Sequence, residues 1–269
     1  MAFDFILPET RKELKKHKEA ILKLFKECFN NKLSSQLWDW AYLDNPTKGT
    51  FVSLCYDKNL LVGHYAVIPL ALTLRCSVRI NGALSMTTMV HPKYRKNGLF
   101  AKQANQIYEK TKNENIDVII GFPNKNSKSG FVNRLNWKIG ETSFVVTVKK
   151  SDLINCSEFM DYIYKDNFLS LDFKNELLLK WRLSKPGSEY YFWGKSILKK
   201  YDGSIDVIYL DKDFEKYFEE DCYYNLLINN IESLKIKKKI DYQFGHLNMN
   251  AKNIELTTLK KDLILSDVF

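Results

Sequence analysis

The spacing of apolar residues changes several times along the chain, and each change marks an element. Over residues 12–29, Leu14, His17, Ile21, Leu22, Phe25, Cys28 and Phe29 recur at helical intervals among lysines and glutamates, which predicts an amphipathic helix. An aromatic segment at 38–43 follows and stops at Asn45-Pro46. Strand-like runs at 51–56 and 60–68 are joined by Asp57-Lys58-Asn59, and a third run spans 71–80. Asn81-Gly82 reads as a hairpin turn, because both residues tolerate positive φ. The strand 83–90 then ends at His91-Pro92, since proline cannot donate to a ladder.

From 98 to 112 the period is helical again, with Phe100, Ala104, Ile107 and Tyr108 on one face. Residues 116–122 form a short continuous apolar run, the pattern of a strand buried on both faces. A short helix at 127–135 and a strand at 142–148 complete the order, which predicts an α/β fold with a mixed sheet flanked by helices. A shift in composition at 149–158 predicts a boundary between 1–150 and 151–269. Beyond it, Trp181 to Pro186 echoes Trp40 to Pro46 with one residue missing, and aromatic strands follow in both places, at 51–56 and 190–193. Leu226, Leu227, Asn230, Ile231 and Leu234 predict a further helix. Two readings of the echo stand: a degenerate duplication, or two unrelated aromatic segments ahead of prolines.

At 45% hydrophobic and 14% aromatic, the 269 residues suit a packed globular protein, which excludes a disordered chain. The longest clearly apolar run, 65–72, is broken by Pro69 and is too short to span a bilayer. The amino terminus lacks a signal-peptide pattern, so a cytoplasmic protein with no membrane partner is expected. Cys28, Cys55, Cys76, Cys156 and Cys222 show no paired spacing. They predict neither a zinc site nor a disulfide framework, and read as small apolar fillers. A net charge of +9 favours anionic partners. The lysines are dispersed, and only 235–239 is a dense run, read either as a solvated helix end or as a contact for an acidic ligand.

The stretch from Val90 to Phe100 carries the most chemistry. It joins a strand to a helix, so its main-chain amides become the unpaired donors of a helix amino terminus, a natural anion site. Gly98 lets the backbone approach phosphate oxygens, and Arg95 and Lys96 add charge. The alternative is a basic loop that simply caps a core helix.

Arg95-x-x-Gly98-x-Phe100 resembles the Q/R-x-x-G-x-G/A motif of the GNAT acetyltransferases, with Phe100 departing from the pattern. About 25 residues on, Asn126-x-x-Ser129 and Leu135-Asn136-Trp137 resemble that family's N-x-x-A and L-G-F. The resemblance covers roughly residues 12–150. It implies a GNAT-like, mostly antiparallel mixed sheet, with a possible degenerate second half. It also implies acetyl-CoA as acyl donor, with its pyrophosphate at Arg95, Lys96, Asn97, Gly98, Leu99 and Phe100. Met89 and Val90 would line the pantetheine arm, and Asn126 and Ser129 would face it. The tyrosine that protonates the leaving thiolate in the family aligns with Val132.

No acidic residue lies in 83–90, where many relatives carry a glutamate base. His64 is then the candidate base for the amine, with an ordinary pKa near 6.5, and Thr87 a candidate proton relay through water. Both have plain alternatives as a hydrogen-bonded sheet histidine and a β-branched strand residue. His91 is a weaker candidate, and Trp38, Trp40 and Tyr42 either line an acceptor pocket or are core. The turn His91–Phe100 and the segment Trp40–Pro46 also resemble long GNAT-like proteins of bacterial polysaccharide assembly, which implies an anionic acceptor, a nucleotide-linked amino sugar. Two other functions fit parts of the chain: a tandem transferase that uses aminoacyl-tRNA, or a non-catalytic module that binds an acidic partner or nucleic acid.

Overall fold

The computed structural model describes residues 2–74, 77–164, 168–229, 231–250 and 254–266. The amino-terminal elements are β1 (Asp4–Ile6), α1 (Arg11–Lys16), α2 (Lys18–Phe29), α3 (Ser35–Tyr42), β2 (Phe51–Asp57), β3 (Leu60–Leu74) and β4 (Val78–Val90). They continue with α4 (Leu99–Asn113), β5 (Val118–Gly121), α5 (Lys125–Leu135), β6 (Lys138–Ile139) and β7 (Ser143–Lys149). The carboxy-terminal elements are α6 (Lys150–Ile154), α7 (Ser157–Tyr164), β8 (Phe168–Leu171), α8 (Glu176–Leu183), β9 (Tyr190–Trp193), β10 (Ser196–Tyr201) and β11 (Ser204–Tyr209). β12 (Tyr223–Ile228), β13 (Lys238–Tyr242), β14 (Gly245–Asn248) and β15 (Lys260–Lys261) complete the chain. The fold is a mixed α/β arrangement of mostly antiparallel sheets flanked by helices, as expected.

The two sheets repeat one plan. In the first, the order β2-β3-β4-β5-β14-β6 has β4 and β5 parallel and every other neighbour antiparallel. In the second, β9-β10-β11-β12-β7-β13 has β11 and β12 parallel and every other neighbour antiparallel. Each half lends a strand to the other. β7 follows β6 in the chain but pairs in the second sheet, and β14 follows β13 but pairs in the first. Strand pairing therefore crosses residue 150 in both directions. The exchange covers the inner edges of β5 and β12, which would otherwise expose unpaired N–H and C=O groups.

Several local expectations change. The predicted helix 12–29 is broken at His17, which caps both α1 and α2 and whose Nδ1 meets Tyr56 Oη at 2.8 Å. Asn81-Gly82 is not a hairpin turn: both residues lie inside β4, opposite Ala71 and Leu70. A Cβ on Gly82 would collide with the Leu72 side chain, so glycine is required there for packing. The reversal falls instead between Leu74 and Val78, where Arg75 and Cys76 lie outside the described residues. The helix predicted through 226–234 does not form: Leu226 and Leu227 lie in strand β12, held between β7 and β11, Ile231 and Leu234 lie in the turn region after it, and Asn230 is outside the described residues. The 235–239 run enters β13 rather than ending a helix, with Lys237 Nζ 3.7 Å from the centre of the Tyr223 ring.

Trp38, Trp40 and Tyr42 are core, on a helix whose amino terminus is capped by Ser34 Oγ accepting from Leu37 N–H. Cys55 and Cys156 are buried, Cys28 and Cys222 partly so, and all four are free thiols. Among the described residues, no helix is long and apolar enough to cross a membrane.

Candidate functional site

β4 and β5 pair only from Gly82 to Leu84 against Val118 to Ile120. Beyond that the strands diverge, and the cleft between them opens into two connected hollows. The outer one, about 840 Å³, is lined by Thr88, Met89, Val90, Arg95, Asn126 and Ser129 among others. The inner one, about 220 Å³, is lined by Ser85, Thr87, Thr88, Phe122, Ser127 and Trp137 among others. Thr88, Ser127, Asn124 and Phe29 line both.

The turn leading into α4 alternates left-handed residues. Lys96 has φ 82° and Gly98 φ 72°, and Gly98 is the residue that caps α4. Nothing lies within 4 Å of where a Gly98 Cβ would be, so the helix terminus is open to a ligand. The turn is braced from within: Asn97 Nδ2 donates to Tyr94 O at 2.9 Å, and Lys93 N–H donates to His91 Nδ1 at 3.2 Å. His91 Nε2 is 3.6 Å from the Glu27 carboxylate. Arg95 and Arg134 line the outer hollow, and no carboxylate lines either one among the described residues.

Phe100, the departure from the family pattern, packs on Phe131 at 5.2 Å between ring centres. The facing residue is Gly130, where a Cβ would sit 3.0 Å from that ring. The bulky motif residue is thus matched by a missing side chain on α5. Met89 is buried and lines the outer hollow, whereas Leu99 is buried and, like Gly98, lines neither hollow. Lys96 and Asn97 are exposed on the turn, outside the lining of both hollows. Val132 is exposed and lines neither hollow.

Between the pairs His64–Met89 and Ala66–Met86, β3 has one residue, Tyr65, and β4 has two, Thr87 and Thr88. This is a β-bulge, and Thr87 sits in it at φ 52°. His64 lies behind the bulge, 1% exposed and outside the lining of the cleft. Its Nδ1–H donates to Thr87 O at 2.8 Å. Burial pulls its imidazole down to about 4, against the partial support of that hydrogen bond. Sequence reasoning missed Asn124, Ser127 and Phe122. The signal for Asn124 was its place ahead of a predicted helix: its Oδ1 accepts from the N–H groups of Asn126 and Ser127.

Residues 9–140 match the family model described as acetyltransferase (GNAT) domain, whose members take acetyl-CoA as acyl donor. Among curated proteins no match is found. Solved structures with the same fold include a GCN5-related N-acetyltransferase from Kribbella flavida, 9% identical, covering 91% of this chain and 70% of that one, TM-score 0.63. Another, from Anabaena variabilis, is 10% identical over 93% and 73% of the two chains, TM-score 0.58. Eis1 from Mycobacterium abscessus is 10% identical over 92% and 74%, TM-score 0.58. Residues 9–140 therefore match a GNAT acetyltransferase domain, within a chain whose fold is similar to that of GNAT N-acetyltransferases.

Proposed function

We propose that the protein is an acetyl-CoA-dependent N-acetyltransferase whose acceptor is the amine of an amino sugar carried on a nucleotide. The cleft carries the donor half of this reading. Diverging strands open towards the amino terminus of α4, beside two arginines, and no carboxylate lines the hollow among the described residues. Such a terminus attracts anions through its N–H groups and dipole, and alternating left-handed residues aim further amides at the same point. The residues present fit a diphosphate.

In this reading Arg95 and the amides of residues 97–99 hold the diphosphate, with Lys96 adding charge from the rim. The main chain at Met89 and Val90 lines the arm, and Asn126 and Ser129 face it from α5. Acetyl-CoA supplies, when bound, an acetyl group activated as a thioester. Main-chain groups at the Thr87–Thr88 bulge polarise the carbonyl. No imidazole or carboxylate lines the cleft among the described residues, so the hydroxyls of Thr88 and Ser127 relay the amine's proton to water as the N–C bond forms, and water returns a proton to the CoA sulfur as the C–S bond breaks.

The acceptor half is supported by a third hollow of about 500 Å³ on the second sheet, lined by Tyr201, Tyr223, Tyr242 and Lys237, and by Asp202 and the pair Lys199–Asp206 at 3.4 Å, among others. Tyr242 packs against Phe122, a residue of the inner cleft, at 5.1 Å between rings. Aromatic faces suit sugar rings, and lysines suit phosphates. The test is a thermal shift with acetyl-CoA, followed by a screen of nucleotide-linked amino sugars read by release of free CoA. No shift with acetyl-CoA removes the donor reading; a shift with no CoA release removes the acceptor class.

A further inference from the structure

The Thr87 bulge is an unusual choice of residue. A left-handed φ of 52° suits glycine or asparagine, whereas a β-branched side chain is disfavoured there. Strain of this kind persists only where surrounding structure enforces it. The bulge faces the cleft on one side, through Thr87 and Thr88. On the other side it meets two buried side chains. His64 donates from Nδ1 to the Thr87 carbonyl at 2.8 Å. Tyr42, from α3, stands edge-on to the His64 ring at 6.0 Å between ring centres; its own hydroxyl is buried without a hydrogen-bond partner, so it braces His64 through the ring.

Tyr42 is itself held in place. Trp38 packs on it at 5.3 Å between rings, and Lys18 ties α3 to α2 through Asp39 at 2.7 Å. Past the carboxy-terminal end of α3, Asn45 Nδ2 donates to Pro69 O of β3 at 3.1 Å. A rigid path thus runs from the helical layer through Tyr42 and His64 to the strained turn of β4.

We infer that Tyr42 and His64 are positioning residues: a buried clamp that holds Thr87 in its left-handed turn and so aims the main-chain groups of the bulge at the acetyl end of the donor cleft. This rests on the donor reading above. His64 acts through Thr87 and touches no substrate. Because the carbonyl must receive a proton donor, the imidazole is the neutral tautomer with hydrogen on Nδ1.

A clamp that aims the bulge has a readout that mere stability lacks: the preference for acetyl-CoA over CoA. The two ligands share every contact except those of the acetyl group. Losing one aimed hydrogen bond in His64→Leu should lower the ratio of Kd for CoA to Kd for acetyl-CoA by up to about tenfold, with the Kd for CoA itself little changed. His64→Asn, which keeps a donor near the Nδ1 position, should restore most of the ratio. So should the double variant His64→Leu/Thr87→Gly, because glycine takes a positive φ unaided. If His64→Leu does not fold, Tyr42→Leu, which removes the ring packed on His64, carries the same comparison. An unchanged ratio in a folded variant, or equal losses for both ligands, overturns the clamp. The 13Cα and 13Cβ shifts of Thr87, which report its φ, test the clamp without any donor: they should move to extended-strand values in the His64→Leu protein or, if that does not fold, in Tyr42→Leu. If they stay, the clamp is wrong even where the donor reading holds. If they move while wild type binds neither CoA nor acetyl-CoA, the donor reading fails and the positioning role falls with it.

Discussion

Trp40 and Trp181 stack on each other at 4.7 Å and 14°, and each indole Nε1–H donates to the other's main-chain carbonyl, at 2.7 and 2.8 Å. The contact joins α3 to α8, the helices that directly precede β2 and β9. It is locally two-fold, like the exchange of β7 and β14 around it. Trp181→Phe removes one donor and leaves the Trp40 carbonyl buried without it. The expected loss is about 1–3 kcal/mol of stability, seen as a lower denaturant midpoint. One cooperative transition should persist, since both halves share this core.

The strand exchange makes a second expectation. A fragment of residues 1–150 carries β7 without its partners β12 and β13, and carries β5 without β14. Two unpaired strand faces favour aggregation. The fragment should be insoluble or unfolded alone, by circular dichroism and light scattering, and be recovered on co-expression with 151–269.

Arg95 lines the outer hollow, and its Nε donates to Val90 O at 3.3 Å. Arg95→Ala should weaken acetyl-CoA binding roughly 10- to 100-fold through loss of a charge-assisted contact, measured by calorimetry. Thermal stability should hardly move, because the side chain is on the surface of the cleft and not in the core.

Gly98→Val tests the turn. A Cβ there meets no protein atom within 4 Å, so the main cost to folding is the left-handed φ, about 1–2 kcal/mol. The space it fills is where a phosphate would approach α4. Acetyl-CoA affinity should therefore fall by more than the fold is destabilised, as seen by comparing calorimetry with the unfolding midpoint.

The imidazole of His64 and the carboxyl of Asp262, both buried, make opposed contributions to the pH dependence. His64 is pulled from 6.5 to about 4 by burial, so between those values the unfolded chain binds the extra proton and stability is lost as pH falls. The full effect is about 3 kcal/mol. Asp262 is pushed from 3.8 up to about 6 by burial, against the neighbouring Lys260 charge, so there the folded chain binds the extra proton and stability is lost as pH rises. Over pH 4–6 the two offset each other. His64→Asn should remove the first alone, making the variant gain on wild type as pH drops from 7 to 4. Urea midpoints across that range would show it; parallel curves would mean that His64 is not the group titrating.

Much of this protein is legible from residue spacing alone. The helix 98–112, the buried strand at 116–122 and the basic turn between Arg95 and Gly98 follow from local rules, because period, proline and glycine act over a few residues. Even the echo between Trp40 and Trp181 is visible, though not that the two rings stack on each other. What local rules could not decide is partnership. Gly82 looks like a turn because its conformational freedom is local, while the Leu72 side chain that demands it comes from the neighbouring strand. The run through Leu226 and Leu227 fits a helix or a strand until β7 and β11 flank it. His64 looks like an accessible base on a strand, and only packing puts 99% of it out of reach and its Nδ1 on a carbonyl of β4. Exchange of β7 and β14 is invisible for the same reason: strand pairing is decided by hydrogen bonds and burial between segments some 100 residues apart, and the sequence of either strand would satisfy the edge of its own half as well as the other's.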